Sequence, residues 1–131
     1  QYCCPGCCGW NEFSALNWYA YNNIMRMCTY ANKYGAIGLL NTDWGDYLHV
    51  NHPDFTRVGM IYGAAFSWNS NIPSYEDINR QISRIEYRDS SENYLAVVAK
   101  IQENSGYDWN VAVRYWEMKR GLHEQDEVSV G

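Results

Sequence analysis

The sequence predicts an α/β fold followed by a helical region, and three observations carry that prediction. A short, continuously apolar run, AIGLLN from Ala36 to Asn41, follows directly on a segment of helical periodicity. Such a run fits a strand buried on both faces, as parallel strands in α/β proteins are. A second helical segment comes after it, and an extended stretch with a Pro-Gly turn comes before it, so the order is strand, helix, strand, helix. Beyond Pro73 the strand signals stop and only amphipathic helical patterns remain.

Each element has its own signal. Tyr2 to Cys4 reads as a short strand because Pro5-Gly6 forces a turn immediately after it. From Asn17 to Tyr34 the apolar positions Ile24, Met27, Cys28, Ala31 and Tyr34 recur at helical spacing. Gly35 stands where a helix C-cap belongs, just after Lys33. A loop rich in Asp, Asn and His runs from Thr42 to Pro53, and helical spacing returns over Phe55 to Trp68 through Val58, Ile61, Tyr62, Ala65 and Phe66. Gly59, Gly63, Ala64 and Ala65 keep one face of that helix small, which suits close packing against a neighbour. Asn69 to Pro73 is a linker. Ser74 and Asp77 form a capping box ahead of Ile78, Ile82 and Ile85. Ser91 is the expected cap of a helix carrying Leu95, Val98 and Ile101, and Asp108 of one carrying Val111, Tyr115 and Met118.

Two strands cannot close a parallel sheet, and a (β/α)8 TIM barrel needs about 250 residues. The 131 residues therefore read as the C-terminal portion of such a barrel, its last two β/α units, over residues 1–70, with a helical appendage over 71–131. The chain opens on Gln1 and enters patterned sequence at once, which agrees with a piece of a longer protein.

Composition narrows the partners. A net charge of −5 argues against nucleic acid, whose binding rests on neutralising phosphates with Lys and Arg. No apolar run approaches the roughly 18 residues of a membrane span. Twelve Tyr and six Trp supply many flat faces with polar edges, which sugars, bases and ordinary cores all use.

The most informative stretch is NTDWGDYLHVNH, Asn41 to His52, just past the end of the buried strand, where α/β proteins build their sites. Asp43 and Asp46 flank Trp44 and invite the reading of a glycosidase acid/base pair. His49 and His52 with Asp46 are a possible divalent-metal set. A polar loop whose Asp and Asn side chains cap backbone groups is the third reading, and spacing alone leaves all three open.

Four of the five cysteines, Cys3, Cys4, Cys7 and Cys8, sit within six residues. Structural zinc sites draw thiolates from two separated knuckles, so one loop holding all four is strained. Cys4 to Cys7 has redox spacing without a helix N-terminus directly after Cys4 to lower its pKa. Adjacent cysteines satisfy disulfide geometry poorly with each other. Crowded thiols without a framework suit a reducing compartment.

CPG-x-x-GWN before a helix, KYGAIGLLNTDWGD with a His three residues on, and the YGAAFSWN helix together resemble the C-terminal part of the glycoside hydrolase family 20 barrel, the β-N-acetylhexosaminidases and their relatives. The resemblance covers about Cys4 to Asn69. It implies that Ala36 to Asn41 is the eighth strand, Phe55 to Trp68 the eighth helix, and the first cysteines the end of the seventh strand. Trp44-Gly45-Asp46 falls on the family's Trp-x-Glu or Trp-x-Asp pattern, so Trp44 would wall the N-acetyl pocket and Asp46 would bind sugar hydroxyls. Trp10 is implied as a second pocket wall, and His49 as a support of the loop or a hydroxyl ligand.

The implied partners are an N-acetylhexosamine-containing glycan and the remainder of the parent barrel; no cofactor is called for. The implied chemistry is substrate-assisted retaining hydrolysis, in which the acetamide oxygen attacks the anomeric carbon, an Asp orients it and a neighbouring Glu acts as acid/base. That Asp-Glu pair belongs to the fourth strand. The Asp-Glu dipeptide of this chain, Asp126-Glu127, has no strand before it and does not match, so no catalytic residue is assigned. CCPGCC coincides with the tetracysteine sequence that binds biarsenical dyes, but the match of Cys4-Pro5-Gly6 to the family's strand end favours a native origin. Two further readings are a non-catalytic carbohydrate-binding or scaffold protein and a thiol metal-binding protein.

Overall fold

Two short strands and four helices follow one another as β1 (Tyr2–Cys3), α1 (Asn17–Tyr34), β2 (Gly38–Leu39), α2 (Pro53–Trp68), α3 (Tyr75–Ile85) and α4 (Tyr94–Asn104). The computed structural model describes residues 1–10, 14–45, 51–69, 71–104 and 116. Asp46, His49 and the expected helix after Asp108, Trp116 apart, lie outside the described residues. The chain is α-rich with a small parallel sheet, loosely α/β. No helix among the described residues is long and apolar enough to cross a membrane.

β1 and β2 run parallel, Tyr2 opposite Gly38 and Cys3 opposite Leu39, with α1 as the crossover between them. The hydrogen bonding outruns the two strands. Ile37 N–H donates to the Gln1 carbonyl at 3.0 Å, Leu40 N–H to Cys3 at 2.9 Å, and Thr42 N–H to Pro5 at 2.8 Å. Cys7 N–H returns a bond to the Thr42 carbonyl at 2.9 Å, around an isolated parallel bridge between Gly6 and Thr42. The seam therefore continues as far as Cys7 and Thr42.

The expected burial of Ala36 to Asn41 on both faces is not met: Ile37 is 73% and Leu40 59% exposed. Among the described residues the sheet has two strands, so side chains that a wider sheet would cover meet solvent.

α1 occupies the span its periodicity predicts, and Gly35 closes it at φ 66°, its N–H donating to the Ala31 carbonyl. That left-handed conformation suits glycine, which has no Cβ to clash there. α2 starts at Pro53, two residues earlier than expected, because His52 Nδ1 accepts the Asp54 N–H and Pro53 needs no partner in the first turn. α3 is capped by Ser74, whose hydroxyl oxygen accepts from Asp77 N–H at 3.1 Å and donates to Asp77 Oδ2 at 2.8 Å.

The cap ahead of α4 differs from expectation. Asp89, rather than Ser91, receives the Asn93 and Tyr94 N–H groups, at 2.7 and 2.8 Å, and Ser91 itself donates to Asp89. The Ser91 hydroxyl, followed by these backbone donors, pulls the Asp89 carboxyl down to about 2. A charged acceptor holds four donors where a hydroxyl would satisfy one.

One apolar cluster joins all four helices: Ala20, Tyr21, Ile24 and Cys28 from α1, Val58, Tyr62 and Phe66 from α2, Ile78 and Ile82 from α3, and Leu95 from α4. Tyr21 is its hub. Its ring meets Tyr62, Phe66 and Tyr75 edge-on at 5.8, 5.5 and 5.3 Å, and its hydroxyl donates to the Pro73 carbonyl at 2.8 Å. The linker is thereby tied to α1. Phe66 packs as expected of the helix, whereas Trp68 points outward at 89% exposure.

Candidate functional site

The seam decides which residues meet. Where β1 and β2 end, the loops from Cys4 to Trp10 and from Leu40 to Gly45 leave side by side, held together by the Pro5–Thr42 and Cys7–Thr42 bonds. Asn23 on α1 anchors the first loop, its Oδ1 accepting Gly6 N–H at 3.0 Å. Asn51 anchors the same loop from the other side, its Nδ2 donating to the Gly9 carbonyl.

Trp10 and Trp44, predicted from positions 34 residues apart, are both brought to this end of the sheet. The six-membered ring of Trp10 lies over Gly6, so closely that a Cβ there would overlap Cη2 and Cζ3. Thr42 Oγ1 sits 3.7 Å from the same point. Trp44 donates its Nε1–H to that Thr42 oxygen at 3.1 Å, and Trp44 is 56% exposed, open to a ligand. Asp43 turns the other way: its Oδ1 lies 3.2 Å from the position of a Gly9 Cβ, and its charge reaches the Cys7 thiol. Asp43 therefore faces the cysteine loop. Asp46 and His49 lie outside the described residues.

A glycine at position 6 is thus a requirement of the Trp10 ring. Gly6→Ala is expected to swing the ring off the loop while leaving the fold in place, because the clash falls on the far end of one side chain. The expected readout is a thermal midpoint within a few degrees of the parent, together with faster acrylamide quenching of the indole fluorescence.

The thiols are built into the packing. Cys7 is fully buried, and Gly59 of α2 lies against it so tightly that a Cβ at Gly59 would stand 2.8 Å from Cys7 Cβ and 2.9 Å from its Cα. The small face of α2 expected from Gly59 and Gly63 therefore has its partners: Cys7 for the first and the Asn41 side chain for the second. Burial pushes the Cys7 thiol up to about 12, with the Asp43 carboxylate and then Cys8 adding to it. Burial alone pushes Cys8 up to about 11. All five cysteines are free thiols. Among the described residues no group of three or more His, Cys, Asp or Glu is disposed to hold a metal ion. His52, half of the histidine pair in the metal reading, is engaged as the α2 cap.

Three contributors were missed from the sequence: Thr42, Asn51 and Asn23. Thr42 and Asn51 carry no signal of their own in a polar loop, and Asn23 reads as an ordinary polar position of α1. Only the register of the seam, which pairs residues more than 30 positions apart, makes Thr42 the shared neighbour of Pro5, Gly6 and Trp44.

The fold and this strand end define an α-rich α/β chain with two tryptophans at the C-terminal edge of a parallel pair. No protein-family model, curated protein or solved structure matches the chain.

Proposed function

We propose that the chain forms the last two β/α units of a (β/α)8 barrel of the kind the sequence resembles, glycoside hydrolase family 20, and supplies part of its sugar pocket. In this reading β1 and β2 are the seventh and eighth strands, α2 is the eighth helix, and the catalytic Asp-Glu pair comes from the remainder of the parent barrel. The parent then removes terminal N-acetylhexosamine with the substrate's own acetamide as nucleophile.

One observation carries the reading. A parallel strand pair with a helical crossover delivers Trp10 and Trp44 together past the C-terminal ends of its strands, the end at which barrels of this type build their sites. The exposed Ile37 and Leu40 agree with it, being the side chains that flanking strands and helices would cover. Trp44 offers its ring face to the acetamide methyl and the apolar side of the sugar, because its N–H is already bonded to Thr42. Asp46, two residues on, would accept sugar hydroxyl protons, and a charged acceptor discriminates because an analogue lacking the hydroxyl leaves it unpaired.

The test is calorimetric titration of the chain with N-acetylglucosamine, with glucose as the control lacking the acetamide. N-acetylglucosamine is expected to bind and glucose to bind more weakly. Trp44→Ala is expected to lower the affinity at least about fivefold, since a lost aromatic face forfeits about 1 kcal/mol beyond its area. Absence of heat with either sugar, or equal binding of the two, would overturn the reading.

A further inference from the structure

We infer that Thr42 is the positioning residue for Trp44, a hydroxyl clamp that sets the indole plane at the mouth of the strand pair. The inference rests on the reading of Trp44 as a sugar-pocket wall, and it is carried by the bonding of one oxygen. Thr42 Oγ1 donates its proton to the Pro5 carbonyl at 2.9 Å and accepts the Trp44 Nε1–H at 3.1 Å. A hydroxyl has one proton to give, and here Pro5 takes it, so the lone pair facing Trp44 is committed to accepting. The indole N–H, which can only donate, therefore finds a fixed acceptor on the strand seam.

The seam itself does not need this hydroxyl. Pro5 O also receives the Thr42 N–H at 2.8 Å, and Cys7 N–H donates to Thr42 O at 2.9 Å. Backbone bonds close the strand pair, and the side chain is left to hold the ring. Trp44 is more than half exposed, so packing alone does not fix its orientation. A ring that must meet the flat side of a sugar gains affinity when its rotamer is set before binding. Gly6 completes the arrangement, since its missing Cβ leaves the space that the Trp10 ring occupies, and the position that Cβ would take lies 3.7 Å from Thr42 Oγ1.

Thr42→Val keeps the branched shape and removes the acceptor; Thr42→Ser keeps the acceptor. The Trp44 contribution to near-UV circular dichroism is isolated as the difference between the chain and Trp44→Phe. Thr42→Val is expected to diminish that difference band and to speed acrylamide quenching of Trp44, while Thr42→Ser preserves both. N-acetylglucosamine affinity is expected to fall about three- to tenfold in Thr42→Val, the loss of one hydrogen bond's worth of positioning. In the Trp44→Phe background, where no N–H remains to be held, Thr42→Val is expected to change affinity no further.

An unchanged Trp44 band in Thr42→Val, or an equal loss of affinity in the Trp44→Phe background, would overturn the clamp. If the parent chain binds no sugar, the pocket reading fails by itself, and the spectroscopic comparison still decides whether Thr42 sets the ring.

Discussion

Phe66→Ala is expected to cost about 3–5 kcal/mol, a large share of the roughly 5–15 kcal/mol that holds a domain folded. Phe66 is buried in the four-helix cluster, its ring stacked on Tyr62 at 5.9 Å and met edge-on by Tyr21 at 5.5 Å. Removing it leaves a cavity in the contact between α1 and α2. It also loosens Tyr62, whose hydroxyl donates to Asn79 of α3 at 2.5 Å, and Tyr21, whose hydroxyl ties down Pro73. The expected measurement is a lower urea midpoint with an unchanged slope, since the surface exposed on unfolding is nearly the same. Phe66→Leu refills most of the volume and is expected to recover more than half of the loss. Trp68→Ala, two positions on and almost fully exposed, is expected to stay within about 0.5 kcal/mol of the parent. A loss below about 1 kcal/mol for Phe66→Ala would mean that α1 and α2 do not meet through this ring.

The contrast between Phe66 and Trp68 shows what local pattern conveys. Helical spacing placed α1 correctly because Ile24 and Cys28 lie one turn apart on one face and are both buried. It picked Tyr34, which is exposed, and passed over Tyr21, the hub of the cluster, because tyrosine suits both settings. Caps were legible where one candidate stood alone, as at Ser74. Before α4 the stretch DSSEN, Asp89 to Asn93, holds five residues and four plausible caps, and the stronger acceptor, Asp89, took the donors. The strand pair was legible as a pattern, yet its lateral neighbours were not, and Ile37 and Leu40 stay exposed. Of the candidate site, Trp44 was singled out because an aromatic residue past a strand end stands out, and Trp10 through the family resemblance. Thr42 and Gly6 were not, since their roles exist only once Gly6 is set beside Thr42. Gly59 was read as a small residue awaiting a partner, and only the fold shows the partner to be Cys7.

Alkylation of the chain by iodoacetamide at pH 8 is expected to modify the exposed Cys4 readily and to leave Cys7 almost untouched. The thiolate is the nucleophile, and each unit by which a thiol lies above the working range removes a factor of ten from its population. Burial and the neighbouring Asp43 raise Cys7 from an ordinary 9.0 to about 12, and burial raises Cys8 to about 11. Relative to ordinary thiols, their rates are expected to fall by about 10³ and 10², before the steric cover of Gly59 over Cys7 is counted. The same shifts set a sign on stability. The folded state keeps these protons above pH 9 while the unfolded chain loses them, so stability is expected to hold below pH 9 and to decline as pH rises from there towards 12. Unfolding in urea at pH 8 and pH 10 measures that decline. A metal would meet the same obstacle, because it binds the thiolate and would have to expose Cys7 by lifting α2 from it. Stoichiometric zinc uptake that protects Cys3, Cys4, Cys7 and Cys8 together would therefore require a rearranged loop, and would move the choice of function from sugar to metal. Rapid, uniform alkylation would instead mean that α2 does not cover Cys7 in solution. Modification of Cys4 first and Cys7 last is the order expected of free thiols of which Cys4 is exposed and Cys7 packs the strand end on which Trp10 and Trp44 stand.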